Sequence, residues 1–298
     1  MRRVSAIVAA AKPSPVIAGV LCGAGAALFW ALGFVAARHG IDIGFAPAEL
    51  VLHRFIWAGI IFLPMMFQSG MTGLGWGRAG LLAFFSGPPL ALLSYSGFLL
   101  VPLGHGGVIQ PSCAALGGLT LAALVLKERL PLRRALGAVA IVGGLMVIGA
   151  EALATIGKQG VLGDLAFVAA GSFFAIFGML LRLWRVAPMR GTAMTSVVSL
   201  VIVPIHWLIL GFDGIIALGF WENFLQAMVQ GLLAGPGAIY LFARAVVLLG
   251  AARAAVFPSL VPVFTLLIGF LVLGSVPSLF QLIGLAIVIV GFRLTQKA

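Results

Sequence analysis

The chain has 298 residues, of which 62% are hydrophobic and 8% are charged, and its mean hydropathy is +1.22. A soluble domain carries about 25% charged residues, so this composition excludes a soluble domain and indicates an integral membrane protein. The formal net charge of +11 does not predict nucleic-acid binding, because the Lys and Arg residues are scattered over short connectors and form no basic patch.

The first 15 residues, MRRVSAIVAAAKPSP, resemble the positively charged start of a signal peptide. However, Lys12 and Pro13 interrupt the apolar run that begins at Val4, and this run is too short for a signal peptide. We therefore expect residues 1–15 to form a cytoplasmic tail in front of an uncleaved first span.

Apolar runs of about 20 residues recur along the whole chain, and each is long enough to cross about 30 Å of hydrocarbon as a helix. The alternating pattern of a membrane β-barrel is absent from the sequence. The pattern predicts an all-α integral membrane protein with ten transmembrane helices, at residues 16–37, 48–67, 79–101, 107–126, 134–150, 163–181, 192–211, 224–247, 254–273 and 278–292.

The basic residues predict the orientation of these helices. With the N-terminus in the cytoplasm, every one of the 18 Lys and Arg residues except Arg38, Arg54 and Lys158 falls at or near the inner face. Six of the seven acidic residues fall outside, and only Glu128 lies inside. The positive-inside rule therefore predicts that both termini are cytoplasmic.

The second half of the chain repeats the first at a constant offset of 147 residues. An odd number of five spans in each half requires the second half to enter the membrane in the opposite orientation. We therefore predict two inverted five-helix repeats, at 16–150 and 163–298. The matching pairs are Pro89 and Pro236, Pro111-Ser112 and Pro258-Ser259, Gly137 and Gly284, and Gly144 and Gly291.

Prolines within the spans predict broken helices at membrane depth. A proline inside a helix removes one backbone donor and clashes with the preceding turn, so lipid-exposed proline breaks are disfavoured. Broken helices at corresponding places in two halves point to the central site of a transporter. The alternative is that transmembrane helices simply tolerate proline. The predicted hinge or gating residues are Pro88, Pro89, Pro111, Pro236, Pro258 and Pro262.

The segment PSCAALGGLTLAALVLKERLPLRRALGAVAIVGGLMVIG resembles the EamA-type branch of the drug/metabolite transporter superfamily, with its proline, long apolar run, Glu in the cytoplasmic turn and glycine-spaced helix. The second copy, FPSLVPVFTLLIGFLVLGSVPSLFQLIGLAIVIVGFRL, repeats the pattern, and GAGAALFWALGFVAAR is similar to the family's first span. The resemblance covers the whole chain except the tail. The family's turn acid is present as Glu128, but Ser275 stands at the matching place in the second half.

This resemblance implies a ten-span permease of the bacterial inner (plasma) membrane that moves small metabolites, often outward. Members include exporters of amino acids, such as the aromatic ones and threonine or homoserine, and relatives carry nucleotide sugars and drugs. The first, third, fourth, sixth, eighth and ninth spans would line a central cavity. We therefore expect a small-molecule substrate, no nucleic-acid partner, a lipid environment and alternating access, and a monomer is compatible with the sequence.

Two uncharged amides, Gln226 and Gln230, lie one helical turn apart on the eighth span, close to Pro236. We predict that they share a face and hydrogen-bond a carboxylate or an amine of the substrate. The alternative is that they lie near the outer interface and meet water.

Aromatic residues at intermediate depth form a second group of substrate-binding candidates. A buried phenol or indole requires a hydrogen-bond partner, which a ligand could supply, although ordinary helix packing is the alternative. The candidates are Trp30, Tyr95 and Tyr240, and the polar residues Gln110 and Ser112 complete the predicted binding set.

Charged and titratable residues near the membrane suggest how transport is driven. Arg54 is the most intrusive cation, and we expect a structural role for it, paired with Glu49 or reaching outward, in preference to substrate binding. No acid lies in the middle of a predicted span, so His206 and His105 are the candidates for proton coupling. The sequence thus favours facilitated diffusion or exchange, with proton antiport open. Glu128 is expected to orient and gate the cytoplasmic turn.

Other functions fit the sequence less well. An intramembrane enzyme would need a nucleophile with its base, a metal cluster or paired acids, and the sequence contains no such constellation. The two cysteines, Cys22 and Cys113, lie in apolar runs without metal-type spacing, so we expect no metal, cofactor or disulfide. A scaffold would not need matched broken helices, and a channel would need a filter-like loop or charged ring. We therefore favour a carrier.

Overall fold

The computed structural model describes residues 14–66, 74–127, 131–250, 254 and 257–296, and all regular secondary structure in these ranges is helical. Glu128 and the first 13 residues of the predicted tail lie outside the described residues. Ten helices carry the fold: α1 Pro15–Ile43, α2 Pro47–Met66, α3 Trp76–Gly97, α4 Leu103–Val125, α5 Leu132–Thr155, α6 Lys158–Leu183, α7 Pro188–Ile209, α8 Gly219–Leu249, α9 Phe257–Leu273 and α10 Leu279–Gln296.

The helices α1 to α8 are long and apolar enough to cross a membrane, whereas α9 and α10 are shorter apolar helices. A further short helix, Asp213–Ala217, lies between α7 and α8. The prediction of an all-helical membrane protein is confirmed, and each predicted span overlaps one of the ten helices. The observed α5 and α6 extend towards each other beyond the predicted limits, so only residues 156 and 157 separate them.

Local signals in the sequence account for the beginning and end of α1. The hydroxyl of Ser14 accepts a hydrogen bond from the backbone N–H of Ile17 at 3.3 Å, and Pro15 occupies the first turn, where no backbone donor is needed. Gly44 ends the helix in the left-handed region, with φ of 109°, and its N–H reaches the carbonyls of Gly40 and Ile41. These two caps give α1 its full length.

The predicted prolines lie at irregularities in three of the ten helices. In α3, Gly87 separates two helical pieces, and Pro88 and Pro89 begin the second piece. In α8, Pro236 lies in a π-helical segment, Ala227–Gly237. α9 begins as a 3₁₀ turn around Pro258, and Pro262 stands in the first turn of the α-helix that follows. Pro111, by contrast, lies inside a continuous α4.

The pairing of α5 with α10 shows a two-fold relation between the halves. A Cβ atom on Gly144 would lie 2.7 Å from the carbonyl oxygen of Gly284, and one on Gly284 would lie 2.9 Å from that of Gly144. Gly137 and Gly291 meet in the same reciprocal way, at 2.7 Å in both directions. The glycines that match between the repeats thus contact each other crosswise, as two antiparallel copies of one helix do.

The remaining helix contacts follow the same exchange of halves. α2 packs against its counterpart α7, as α5 packs against α10. α1 packs against α8 and α9, and its counterpart α6 packs against α3 and α4. Exchanging the two repeats therefore maps the α2–α7 and α5–α10 contacts onto themselves, and the α1–α8 and α1–α9 contacts onto the α6–α3 and α6–α4 contacts.

Two ends of the helix bundle differ in their packing. We call the end that carries the α1–α2, α3–α4, α5–α6, α7–α8 and α9–α10 connections the distal end, and the opposite one the terminal end. Large aromatic side chains are fully buried near the distal end, where Phe98 packs against Phe167 with ring centroids 4.9 Å apart. Phe45, after α1, belongs to the same hydrophobic core. The distal end is therefore densely packed.

Candidate functional site

The two amides predicted on α8 are fully buried where α8 crosses α1. Gln226 and Gln230 both have 0% exposed surface, which excludes the alternative that they meet water at the interface. The Nε2 group of Gln226 donates to the carbonyl oxygen of Ala36 at 2.8 Å, and that of Gln230 donates to the carbonyl oxygen of Gly33 at 2.8 Å. Both amides therefore bind α8 to the backbone of α1.

Glycines on α1 permit this close approach. A Cβ atom on Gly33 would lie 2.7 Å from the Cβ atom of Ala234, and one on Gly40 would lie 2.9 Å from the Nε2 atom of Gln226. Small residues allow two backbones to come close enough for side-chain to backbone bonds across a membrane interface. At the same place α8 contains a π-helical segment, and such segments are frequent at functional sites.

Tyr95 and Arg54 converge on the oxygen of the Gln230 amide. The Tyr95 hydroxyl donates to Gln230 Oε1 at 2.9 Å, and Arg54 Nη1 donates to the same oxygen at 3.4 Å. Tyr95 is 5% exposed, whereas Arg54 is half-buried. Four helices, α1, α2, α3 and α8, thus meet at one amide. We call Arg54, Tyr95, Gln226 and Gln230 the central polar cluster.

The expected pairing of Arg54 with Glu49 is wrong. Glu49 instead accepts the backbone N–H of Ala46 at 2.8 Å through Oε2 and so caps the start of α2. In the ranges that the structure describes, no carboxylate oxygen lies within 4.0 Å of the Arg54 guanidinium. Arg54 therefore carries a positive charge within a span with the amide of Gln230 as its polar partner.

One hydrogen-bond acceptor in the central polar cluster receives no donor from the described residues. The Oε1 atom of Gln226 is buried and has no hydrogen-bond partner among the described residues. A buried acceptor without a partner loses its hydration, so its donor is expected to come from a bound molecule or a rearranged side chain. The cluster thus offers a cation and a free amide oxygen, which are complementary to a carboxylate and to an N–H donor.

The two polar candidates on α4 have different hydrogen-bond partners. Ser94, the neighbour of Tyr95, donates its hydroxyl to Gln110 Oε1 at 2.7 Å. Ser112 donates to the carbonyl oxygen of Val108 in its own helix at 2.7 Å. Gln110 is therefore bonded to the residue before Tyr95 on α3, whereas the Ser112 hydroxyl is used within α4.

The structure separates the other two aromatic candidates from Tyr95. Trp30 is partly buried and packs against Phe242, with ring centroids 5.6 Å apart, in a hydrophobic cluster of α1, α8 and α9. Tyr240 is 55% exposed. The expectation of a buried phenol is wrong for Tyr240, because α8 turns this side chain outward beyond the π-helical segment.

The histidine predicted on α7 packs against an aromatic ring. His206 is buried and packs against Phe212, with ring centroids 5.8 Å apart. Its Nε2 atom has no hydrogen-bond partner among the described residues. Glu128, the other predicted gating charge, lies outside the described residues.

The sequence reasoning missed a buried ionic cluster at the distal end. His105 Nδ1 lies 2.9 Å from Asp164 Oδ1, and His105 Nε2 lies 3.8 Å from Glu151 Oε2. Both acids were expected in or at the edge of an outer connector between the fifth and sixth spans. Because α5 and α6 are longer than predicted, both acids lie inside helices instead, where their carboxylates approach the His105 ring. No local sequence signal joins these residues, because His105 precedes Glu151 by 46 positions and Asp164 by 59.

Other polar contacts fasten α1 at the distal end. Arg38 Nη1 donates to the carbonyl oxygens of Phe98 at 2.8 Å and Val101 at 3.0 Å, where α3 ends, and its Nη2 atom pairs with Asp42 at 2.7 Å. His39 Nε2 lies 2.9 Å from Glu222 Oε2 of α8. With the aromatic core, these contacts close the distal end.

An open cavity of about 350 Å³ lies between α4 and α6. Its lining begins at Cys113, one turn after Gln110, and continues towards the terminal end to Leu121. Ser172, Ala175 and Ile176 line it from α6. The cavity therefore lies towards the terminal ends of α4 and α6, and no residue of the central polar cluster lines it.

Comparison with known proteins identifies a family and a fold. The model of the EamA-like transporter family matches the chain twice, over residues 17–150 and 161–295. A protein of known crystal structure is similar in fold, with a TM-score of 0.64 and 16% sequence identity over 93% of this chain and 95% of that chain. At this identity the similarity shows the fold alone. The comparison with curated proteins gave no match.

The two family matches cover almost the entire helical part of the chain, and they coincide with the two groups of helices that pack as exchanged copies. The family consists of membrane transporters of small solutes. The chain therefore belongs to the EamA-like transporter family of the drug/metabolite transporter superfamily, and it is a multi-pass membrane transporter of small solutes.

Proposed function

We propose that the protein exports amino acids or similar amphipathic carboxylates by alternating access of its two inverted repeats. In this proposal all ten helices span a bacterial plasma membrane, with both termini in the cytoplasm. The observation that carries the proposal is the central polar cluster, where Arg54 faces a buried amide and no described carboxylate.

The charge of Arg54 supports a carboxylate as the substrate group. A guanidinium at membrane depth is costly unless it is paired or reaches water, and it binds carboxylates through parallel hydrogen bonds. A substrate carboxylate would replace the 3.4 Å contact with Gln230 by stronger charge-assisted bonds. The Oε1 atom of Gln226, which lacks a described partner, would then accept an N–H of an amino group.

The exchange of helix contacts between the halves supports alternating access. Two inverted copies of one fold give a scaffold two related conformations, each open to one side. In the structure the distal end is closed by aromatic packing and by the Arg38 bonds, while the α4–α6 cavity lies towards the terminal end. With the termini in the cytoplasm, this conformation would receive substrate from the inside, in agreement with export.

Counterflow into proteoliposomes tests the proposal. Proteoliposomes that contain the purified protein would be loaded with one unlabelled amino acid. The uptake of labelled phenylalanine, tryptophan, tyrosine, threonine and homoserine would then be measured. We expect Arg54→Gln to abolish exchange of amino acids, because the carboxylate loses its cation. The matched control is Arg78→Gln, since Arg78 is an exposed arginine that packs over the ring of Trp184, 5.3 Å from its centroid.

The carboxylate assignment can be separated from the transport activity. Phenylalaninamide has the aromatic ring and the amine of phenylalanine but no carboxylate, so we expect it to be a poor substrate of the unmodified protein. Equal exchange of the acid and the amide, with Arg54→Gln fully active, would contradict a carboxylate site and favour a permease for drugs or other metabolites. Loss of exchange in Arg78→Gln would show that the arginine effects are not specific.

A further inference from the structure

We propose that His105, Glu151 and Asp164 form a proton-binding site that controls the opening of the distal end. We call these three residues the distal proton site. They belong to α4, α5 and α6, and none of them is part of the central polar cluster. The assignment of a bound proton is independent of the proposed amino-acid substrate, whereas its coupling to substrate movement rests on the proposed transport function.

The geometry leaves two acceptors of the distal proton site without donors. His105 is 1% exposed, and the side chains of Glu151 and Asp164 are each 11% exposed. The His105 Nδ1 and Asp164 Oδ1 atoms form a hydrogen bond of 2.9 Å, but Glu151 Oε2 and Asp164 Oδ2 are buried and have no hydrogen-bond partner among the described residues. Buried carboxylate oxygens normally have partners, so a donor is missing at this place.

The charges of the site do not balance without an added proton. With both carboxylates ionised, the single imidazole supplies at most one positive charge against two negative charges. A net buried negative charge is unfavourable, and one bound proton removes it. A proton on Glu151 or on Asp164 converts one orphan acceptor into an O–H donor and neutralises the site.

The surrounding helices supply no other cation. Arg38, on α1, is bound to Asp42 and to the carbonyls at the end of α3, and Lys158, six residues before Asp164 on α6, is exposed. From α10 the neutral side chain of Gln281 packs against Gly104. The described part of α9 has no titratable side chain, and Arg293 of α10 lies near the terminal end. A proton is therefore the simplest ligand that completes the site.

The position of the site connects its protonation to the closure of the distal end. His105 stands in the first turn of α4, directly after the turn whose carbonyls bind Arg38. The same helix carries Gln110, which accepts a hydrogen bond from Ser94 beside Tyr95. Breaking the bond between His105 and Asp164 would release the start of α4 from α6. The distal end would then open without direct contact between proton and substrate.

The site lies where the first repeat meets the first helix of the second repeat, and the chain has no symmetry-related copy of it. At the constant offset of 147 residues, His105 corresponds to Ala252, Glu151 to Ala298 and Asp164 to Ile17. A proton bound there therefore stabilises one of the two exchanged conformations more than the other, because the exchanged positions carry no equivalent groups. The two conformations of a nearly symmetric scaffold thus differ in free energy when the proton is bound.

Infrared difference spectroscopy of the purified protein tests proton binding without any substrate. Spectra recorded in mildly alkaline and mildly acidic buffer should show the C=O stretch of a newly protonated, buried carboxylic acid. We expect this band to be lost in Glu151→Gln combined with Asp164→Asn, which keep the shapes of both side chains. The control is Asp213→Asn, in the short helix between α7 and α8, which should keep the band. A band that is unchanged in the double variant, or replaced by a response to sodium at constant pH, would overturn the proposal.

Hydrogen exchange tests the link to the distal end. After correction for the intrinsic effect of pH, peptides covering residues 98–106 should exchange several-fold differently between the two buffers in the unmodified protein and equally in the double variant. An equal pH response in both proteins would refute gating even where the infrared band is present. If counterflow of every amino acid fails but both of these results hold, the proposed substrate is wrong and the proton site stands.

Discussion

Replacing Gly144 by alanine tests whether α5 and α10 are packed as exchanged copies of one helix. A Cβ atom at this position would lie 2.7 Å from the carbonyl oxygen of Gly284 and 2.8 Å from Val288 Cγ2, whereas ordinary van der Waals contact begins at 3.4 Å. The two helices would therefore have to move apart by several tenths of an ångström. Overpacking of this kind costs about 1–3 kcal/mol of unfolding free energy.

The chain contains a matched control for this substitution. Gly143 is the adjacent residue of the same helix, and a Cβ atom on it would meet nothing within 4 Å. Alanine gains about 0.5–1 kcal/mol over glycine in a helix interior, and this gain is shared by both variants. The difference between Gly144→Ala and Gly143→Ala therefore isolates the packing term, and we expect about 1–3 kcal/mol.

The assay is reversible unfolding of the purified protein in mixed micelles at increasing SDS content, followed by tryptophan fluorescence. We also expect Gly291→Ala, the counterpart of Gly144→Ala in the second repeat, to be destabilising by a similar amount, because its Cβ atom would lie 2.7 Å from Gly137 O. Combining Gly144→Ala with Gly284→Ala should cost less than the sum of the two, since one separation of the helices accommodates both methyl groups. Equal effects of Gly143→Ala and Gly144→Ala would refute the close pairing.

Three further predictions concern the central polar cluster and the broken helices. Tyr95→Phe should lower the unfolding free energy by about 1 kcal/mol, because Gln230 Oε1 loses its 2.9 Å donor, whereas Tyr240→Phe should leave the unfolding midpoint unchanged, since Tyr240 is exposed. Gln230→Leu should raise the half-saturation concentration in counterflow about tenfold, which corresponds to about 1.4 kcal/mol, and an unchanged value would remove this amide from the site. Pro89→Leu and Pro236→Leu should each reduce the turnover rate more than the unfolding midpoint, and normal transport by both variants would contradict a role of these prolines in the moving segments.

The sequence was sufficient for the class of fold because its main signals are local or periodic. Apolar run length predicts helices, and the constant offset between Pro89 and Pro236 and between Gly144 and Gly291 predicts a repeat. The ends of the helices were harder to predict, because a charged side chain such as Glu151 can lie inside a helix as well as after it. In this chain Glu151 lies inside α5, and its Oε2 atom is 3.8 Å from Nε2 of His105, 46 residues earlier, a contact that no local pattern contains.

Part of the central polar cluster was also predictable. Gln226 and Gln230 are recognisable as amides at helical spacing in an apolar span, and Tyr95 is one of only two tyrosines in the chain. Their mutual contact was not predictable, since it joins residues 135 positions apart. The partner of Arg54 was also not predictable, because the neighbouring Glu49 caps the start of α2 instead of pairing with Arg54.

The corresponding helices α3 and α8 have different shapes in this one conformation. At the matched prolines, α3 is divided at Gly87, whereas α8 remains helical through a π segment that ends at Gly237. Two copies of one helix with two shapes are what an exchange between inverted repeats requires, because the opposite conformation would give α8 the division and α3 the wider turn. Gln226 and Gln230 lie at the start of that π segment, so a change in its geometry would move both amides relative to the α1 carbonyls that hold them. In the proposed alternating access, this rearrangement of α8 would release substrate on the far side once the start of α4 has separated from α6 at the distal end.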